Sequence, residues 1–244
     1  MGKKRRFKEN NAAPVAELLE RLQIKPLQPE LFQIAFTHSS YGNERNIPYN
    51  ERLEFLGDSV FSLIVCQFLY LEYPKYPEGK LAKLKSTIVS TAVLVALAQQ
   101  LGLNEYLRLG HGEFNANGRN KKNLVEDLFE AFLGAYYLNF GLEATATFVL
   151  PLIKERMPEL IRQTEEINSK TYLQEWAQAK NKASRPEYRL LKVEGPPHDR
   201  TFTVEVCYNR QVLGHGTGKS LKAAQNMAAM LALEQVKGRG RKRQ

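Results

Sequence analysis

Cysteine is scarce in this chain: 244 residues hold two, Cys66 and Cys207. They lie far apart and fit no redox or metal-binding spacing, which argues against a disulfide framework. Reduced thiols in a cytoplasmic protein are the expectation. The four histidines, at positions 38, 111, 198 and 215, show no metal spacing either; His38 is read as bonding within the core, and His111 has no assignable role. Long apolar runs are missing. Val60 to Leu71 is nearly unbroken, yet it is about half of the roughly 20 residues needed to cross a bilayer, so no membrane partner is expected. The opening MGKKRRFKENN is basic but leads into polar residues, without the apolar core of a signal peptide.

Acids are absent from both ends. Met1–Lys8 and Lys237–Gln244 together carry ten Lys and Arg and no Asp or Glu. Residues 9–168 reverse the balance, with 15 bases against 20 acids, and residues 169–236 restore it, with 10 bases against 6 acids. The net charge of +9 is therefore concentrated in the tails and the C-terminal third. Such a distribution suits a polyanion held at one end of an otherwise acidic protein. Charged tails that only aid solubility are the plainer alternative.

Helical periodicity dominates the first 150 residues. Pro29 opens a short amphipathic stretch, proline being tolerated in a first turn. From Asn50 to about Tyr73, Leu53, Leu56, Val60, Leu63 and Ile64 recur at three- and four-residue steps, and Pro74 and Pro77 break the pattern. Further helices are expected near 80–90, 91–101, 123–139 and 142–156, with residues 110–123 as a polar loop. After Ser169 the pattern changes. Residues 170–180 are helical. Phe202, Val204, Val206 and Tyr208 then alternate with polar residues as in a half-buried strand. Asn209-Arg210 turns into a strand from Gln211, Glu187–Val193 supplies another, and Ser220 caps a final helix. The boundaries are set at 12–156 for an all-helical domain, 157–168 for a linker and 169–238 for a small α-β-β-β-α unit, an α+β fold.

Glu51, Glu54 and Asp58 stand at i, i+3 and i+7, within about 60° of one another on one helix face. Asp127 and Glu130 repeat the theme in a segment that is apolar on nearly every side. Burying unpaired carboxylates is costly, so these acids need a cation or protons. Salt bridges to basic side chains, a calcium site without EF-hand spacing, and a catalytic Mg²⁺ site are the three readings. For a phosphodiester substrate a carboxylate cluster makes sense only with metal, since bare acids repel phosphate.

Residues 50–60 closely resemble the signature stretch of the ribonuclease III family. The resemblance extends to His38-Ser39-Ser40, Glu78-Gly79-Lys80-Leu81, Lys85-Ser86, Gly118-Arg119 and Asp127-Leu128-Phe129-Glu130-Ala131, in the family's order over roughly residues 15 to 150. It implies a homodimeric, all-helical endonuclease domain that cuts double-stranded RNA, leaving 5′-phosphate and 3′-hydroxyl ends with two-nucleotide 3′ overhangs. The natural substrates implied are ribosomal RNA precursors and structured messages. Carried over residue by residue, Glu54, Asp58, Asp127 and Glu130 are the implied Mg²⁺ ligands, with Asp58 and Glu130 catalytic and Mn²⁺ able to substitute. Glu51 and Glu78 are the implied supporting acids. Ser59 stands where alanine is usual, and so does Glu126. The latter is read as a solvated neighbour about 100° round the helix from Asp127; the competing reading is a shift in metal affinity.

The C-terminal unit resembles a double-stranded-RNA-binding domain through residues 170–176, Gly195-Pro196-Pro197-His198 and Ser220-Leu221-Lys222. With Leu173, Trp176 and Ala177 facing the core, Thr171, Gln174, Glu175 and Gln178 form a polar stripe suited to 2′-hydroxyls in the minor groove of A-form RNA. His198 in its loop is read as reaching the next minor groove, and Lys219 and Lys222 as facing phosphates. Leu221 replaces a usual lysine and Gln225 a common glutamate, departures expected to weaken phosphate contact. Gly214 to Ser220 superficially matches the phosphate loop of nucleotide hydrolases, but Leu213 occupies a required glycine position. A glycine-rich turn with a helix cap is expected instead, and no nucleotide cofactor. A binding protein that keeps the fold without cutting, and a DNA-binding protein, are the alternatives to an enzyme.

Overall fold

The computed structural model describes residues 12–241. The chain divides into two compact units, with the boundary between Met157 and Pro158. In the first, helices α1 (Val15–Arg21), α2 (Pro29–Ala35), α3 (Ser39–Arg45), α4 (Glu51–Glu72), α5 (Glu78–Ile88), α6 (Thr91–Gln100) and α7 (His111–Asn115) precede the helical stretch α8 (Lys122–Lys180), of which the residues up to Met157 belong to this unit and the rest to the second. Pro29 does occupy the first turn of α2. The segment expected to be a plain loop, 110–123, contains α7 and a short 3₁₀ turn, Gly118–Asn120. Polar composition hid both, because elements of three to five residues carry too little periodicity to read.

The core of this unit forms around α4 and the part of α8 before Gly141. Phe32, Phe36, Phe61, Phe129 and Phe132 are fully buried. Phe61 of α4 meets Phe129 of α8 edge to face, centroids 5.7 Å apart, a geometry that favours aromatic pairs. Helix α4 is long and apolar enough to cross a membrane by length and composition, more than the run from Val60 to Leu71 suggested. Here Val60, Phe61, Ile64, Val65, Phe68 and Leu69 are buried in the domain core, and three acids interrupt its first two turns.

Two glycines set how closely α4 and α8 cross. A Cβ on Gly57 would run into the carbonyl of Glu130, and one on Gly134 into the carbonyl of Leu53. The backbones therefore touch where any side chain would hold them apart. Gly141 interrupts α8 with φ 78° and ψ 177°, a left-handed conformation that glycine adopts without penalty.

Residues 157–168, taken as a linker from their polar composition, are helical, and the second unit begins within them, at Pro158. That unit carries strands β1 (Glu187–Glu194), β2 (Thr201–Tyr208) and β3 (Gln211–Gly218), followed by α9 (Leu221–Arg241). The sheet is antiparallel in the order β1-β2-β3. Asn209 and Arg210 both take positive φ, 49° and 62°, the backbone of a tight hairpin turn whose twist matches the strands. Val204 and Val206 face Leu173, Ala177, Ala224, Ala228 and Ala232 in one small core.

The glycine run expected as a turn is the strand β3 itself. Val204 pairs with Gly216 and Val206 with Gly214, so both glycines face α9. A Cβ on Gly214 would strike the backbone of Ala228 and Ala232, and one on Gly216 the backbone of Ala224 and Ala228. Glycine on the strand and alanine on the helix bring the two backbones together, which accounts for the motif without any phosphate. The Ser220 cap is present, its Oγ accepting from the Ala223 amide at 3.1 Å.

Gly57→Ala should destabilise the protein by on the order of 3 kcal/mol through overpacking, read by chemical denaturation. A variant as stable as the parent would contradict the close helix crossing.

Candidate functional site

The crossing of α4 and α8 brings carboxylates from both helices together. Oxygens of Glu54, Asp127 and Glu130 all lie within 4.8 Å of one another, and each residue is half-buried. None of the three forms an ion pair among the described residues. Burial, then the charges of Asp127, Glu51, Glu126 and Asp58, pushes Glu54 up to about 7. Burial, then Asp58, Glu126, Glu54 and Asp127, pushes Glu130 up to about 8. Burial and Glu126 push Asp127 up to about 6, opposed by a backbone hydrogen bond. All three groups are thus strained in the same direction, toward holding protons in the absence of a cation.

The donor set suits a hard divalent ion. Ligand oxygens around octahedral Mg²⁺ at 2.0–2.1 Å stand about 3 to 4.2 Å apart, and three carboxylates within 4.8 Å can supply that spacing with little movement. A soft or sulfur-preferring ion would find no matching ligand in this group.

The structure gathers some of the expected residues and leaves others aside. Asp58 is exposed and lies outside the group of three, although its charge weighs more on Glu130 than any other. Glu51, also exposed, bears on Glu54 and Asp127. Glu78, exposed in the first turn of α5, does not figure among the charges that move the three. Glu126 departs from the solvated neighbour expected of it: it is half-buried and acts on all three carboxylates. The sequence held the signal, because Glu126 stands four residues before Glu130 and so one turn along the same face. Measured only from Asp127, it looked averted. Gly57 and Gly134 were missed as the residues that permit the crossing.

His38 bonds as expected of a structural residue, its Nδ1 2.8 Å from Ser40 Oγ. In the second unit, Thr171, Gln174 and Glu175 are exposed and Gln178 is half-buried along one helix face. His198 and Lys222 are exposed. Lys219 is less free than its position suggested, donating to Asp199 Oδ1 at 2.6 Å, which ties the loop containing His198 to the start of α9. Gln225 accepts from Lys170 Nζ at 2.7 Å, a role that its amide oxygen fills without a charge.

Comparison with known proteins matches these two units to two families. Residues 28–157 match the Ribonuclease-III-like family, and residues 169–236 match the double-stranded RNA binding motif. The chain is 45% identical over 223 residues to ribonuclease 3 of Enterococcus faecalis, covering 90% of this chain and 96% of that protein. It is 42% identical over 230 residues to ribonuclease 3 of Latilactobacillus sakei, covering 93% and 99%. Among solved structures, the nuclease domain of ribonuclease III from Campylobacter jejuni superposes with a TM-score of 0.55 at 32% identity, covering 59% of this chain and 99% of that one. The description of that structure concerns structural flexibility in a region involved in dimer formation.

Acids whose folded-state pKa is raised stabilise the fold only while protonated, so metal-free stability should fall as pH rises through about 6 to 8. The melting temperature in chelator is expected to drop between about pH 5 and about pH 9, and Mg²⁺ to reverse the drop with release of protons. A flat profile in chelator would count against the strain described for these carboxylates.

Proposed function

The chain belongs to the ribonuclease III family, and we propose that it hydrolyses phosphodiester bonds of double-stranded RNA in a Mg²⁺-dependent reaction at the α4–α8 carboxylates. The observation that carries this reading is the group of three half-buried acids without a basic partner. Such a group is costly in an idle fold and useful beside a phosphate only when a divalent ion neutralises it. Glu54, Asp127 and Glu130 would hold the ion directly; Asp58, whose charge bears on Glu130, would join them or orient the attacking water. Glu51 would add to the field, and Glu78 would support the site from α5. The bound ion would lower the pKa of a coordinated water and offset charge on the attacked phosphate, and Mn²⁺, with similar ligand preferences, would substitute.

Duplex RNA would be held by the second unit. The exposed side chains of Thr171, Gln174 and Glu175 suit 2′-hydroxyls, His198 suits a neighbouring groove, and Lys222 with Lys219 suits phosphates. Sequence preference should be weak, since this geometry reads shape.

A homodimer through the nuclease domain is part of the proposal. Helix α4 exposes Phe55, Leu63, Tyr70 and Leu71, large apolar side chains that a second copy would cover. Two active sites acting on opposite strands would leave 5′-phosphate and 3′-hydroxyl ends with two-nucleotide 3′ overhangs. Precursors of ribosomal RNA and structured messages would be the natural substrates, in the cytoplasm, a setting that the two free thiols support.

Long duplex RNA mixed with the protein should be shortened only when Mg²⁺ is present; retention without shortening in both conditions would favour a binding protein. Glu130→Gln should lower the cleavage rate on the order of a thousandfold while duplex binding persists, and parental cleavage by that variant would remove Glu130 from the site. Raising salt from about 50 to about 200 mM should weaken duplex binding roughly ten- to hundredfold, the drop expected for about two to four phosphate contacts. Salt-insensitive retention in a gel-shift titration would contradict the basic surface assigned to the second unit.

A further inference from the structure

Glu126 is the feature of this site that the family pattern does not account for. On α8 it stands one turn before Glu130, and residues so spaced have Cβ atoms about 5–6 Å apart on one face. Its neighbour in sequence is Asp127. It lies outside the three carboxylates whose oxygens share a 4.8 Å sphere, and it is half-buried rather than solvated. No basic side chain pairs with it among the described residues.

We propose that Glu126 belongs to the metal centre as an outer carboxylate that strengthens divalent-ion binding by Glu54, Asp127 and Glu130 without ligating the ion itself. The inference rests on the metal reading given above and adds a residue to it. Its physical basis is the cost of the arrangement. A fourth acid beside three others raises their mutual repulsion, and partial burial weakens the screening that water would give. Next to Asp127 and one turn before Glu130 on the same helix, half-buried with them, its charge stands beside theirs. The same carboxylate that destabilises the empty site attracts a dication to it. For an ion that retains part of its hydration shell, an acid just beyond the ligands also accepts hydrogen bonds from the retained waters, and loss of such a partner typically weakens metal binding by about 10- to 100-fold.

A residue that merely filled space would not produce the opposed effects that this role requires. Without metal, Glu126→Gln should melt at a higher temperature than the parent, because one of the repelling charges is gone. With Mg²⁺, its rise in melting temperature should be smaller. Titration of the full chain with Mn²⁺ alone, followed by electron paramagnetic resonance in the absence of RNA, should show the dissociation constant of Glu126→Gln raised by about tenfold. Glu126→Asp, which keeps the charge, should recover most of the affinity, and Glu126→Ala should repeat the glutamine result, which separates loss of charge from any perturbation by the amide.

A dissociation constant within about twofold of the parent's in both neutral variants, while Glu130→Gln loses binding, would overturn the role of Glu126 and leave the metal reading standing. Absence of Mn²⁺ binding in the parent itself would overturn both. A lower metal-free melting temperature in both Glu126→Gln and Glu126→Ala would also count against the proposal, since it would mark Glu126 as a stabilising residue.

Discussion

Repulsion among carboxylates at the α4–α8 crossing is the constraint around which the first unit is built. Helices normally keep like charges apart by pointing them to water, and here packing forbids it. Gly57 and Gly134 remove the side chains that would separate the backbones, and Phe61 against Phe129 secures the contact with buried aromatic surface. The stability gained from the core is what keeps Glu54, Asp127 and Glu130 within 4.8 Å. Burial then raises their affinity for protons, and in doing so prepares a site whose most effective neutralising partner is a divalent ion.

A similar device recurs in the second unit for a different end. Gly214 and Gly216 lie on β3 beneath alanines of α9, so the helix settles close to the sheet and a small core suffices. What the close packing positions there is a surface: the polar face of residues 171–178, the His198 loop, and the start of α9. The Lys219–Asp199 contact uses part of one positive charge to fix the loop, so under the proposed function phosphate attraction would fall more heavily on Lys222 and the remaining basic residues. In both units close backbone approach is made at glycines, and the polar groups given a role in the proposed function are the ones that this proximity aligns.

The two units divide the physical work by charge. The acidic one repels a polyanion unless metal is present, and the basic one attracts it at all times. Under the proposed function, holding and cutting are therefore separable, and an ion would be needed only for the second. Membership of the ribonuclease III family agrees with that division, and the role proposed for Glu126 would alter its strength rather than its kind.

Most of the secondary structure could be read from spacing. Leu53, Leu56, Val60 and Ile64 have no common face except on a helix, and Val204, Val206 and Tyr208 none except on a strand. The same spacing placed Glu51, Glu54 and Asp58 on one side of α4, because angular position about a helix axis follows from residue number alone. How two helices cross does not. Only the tertiary arrangement selected Glu54 for the group with Asp127 and Glu130 and left Asp58 outside it, and only it buried Glu126 halfway. The glycine run 214–218 was legible as a motif but not as a strand, since what its glycines accommodate is the α9 backbone, a partner absent from any local pattern. Local sequence determines which way a side chain points along its own element; depth and distance between elements depend on contacts among residues far apart in the chain.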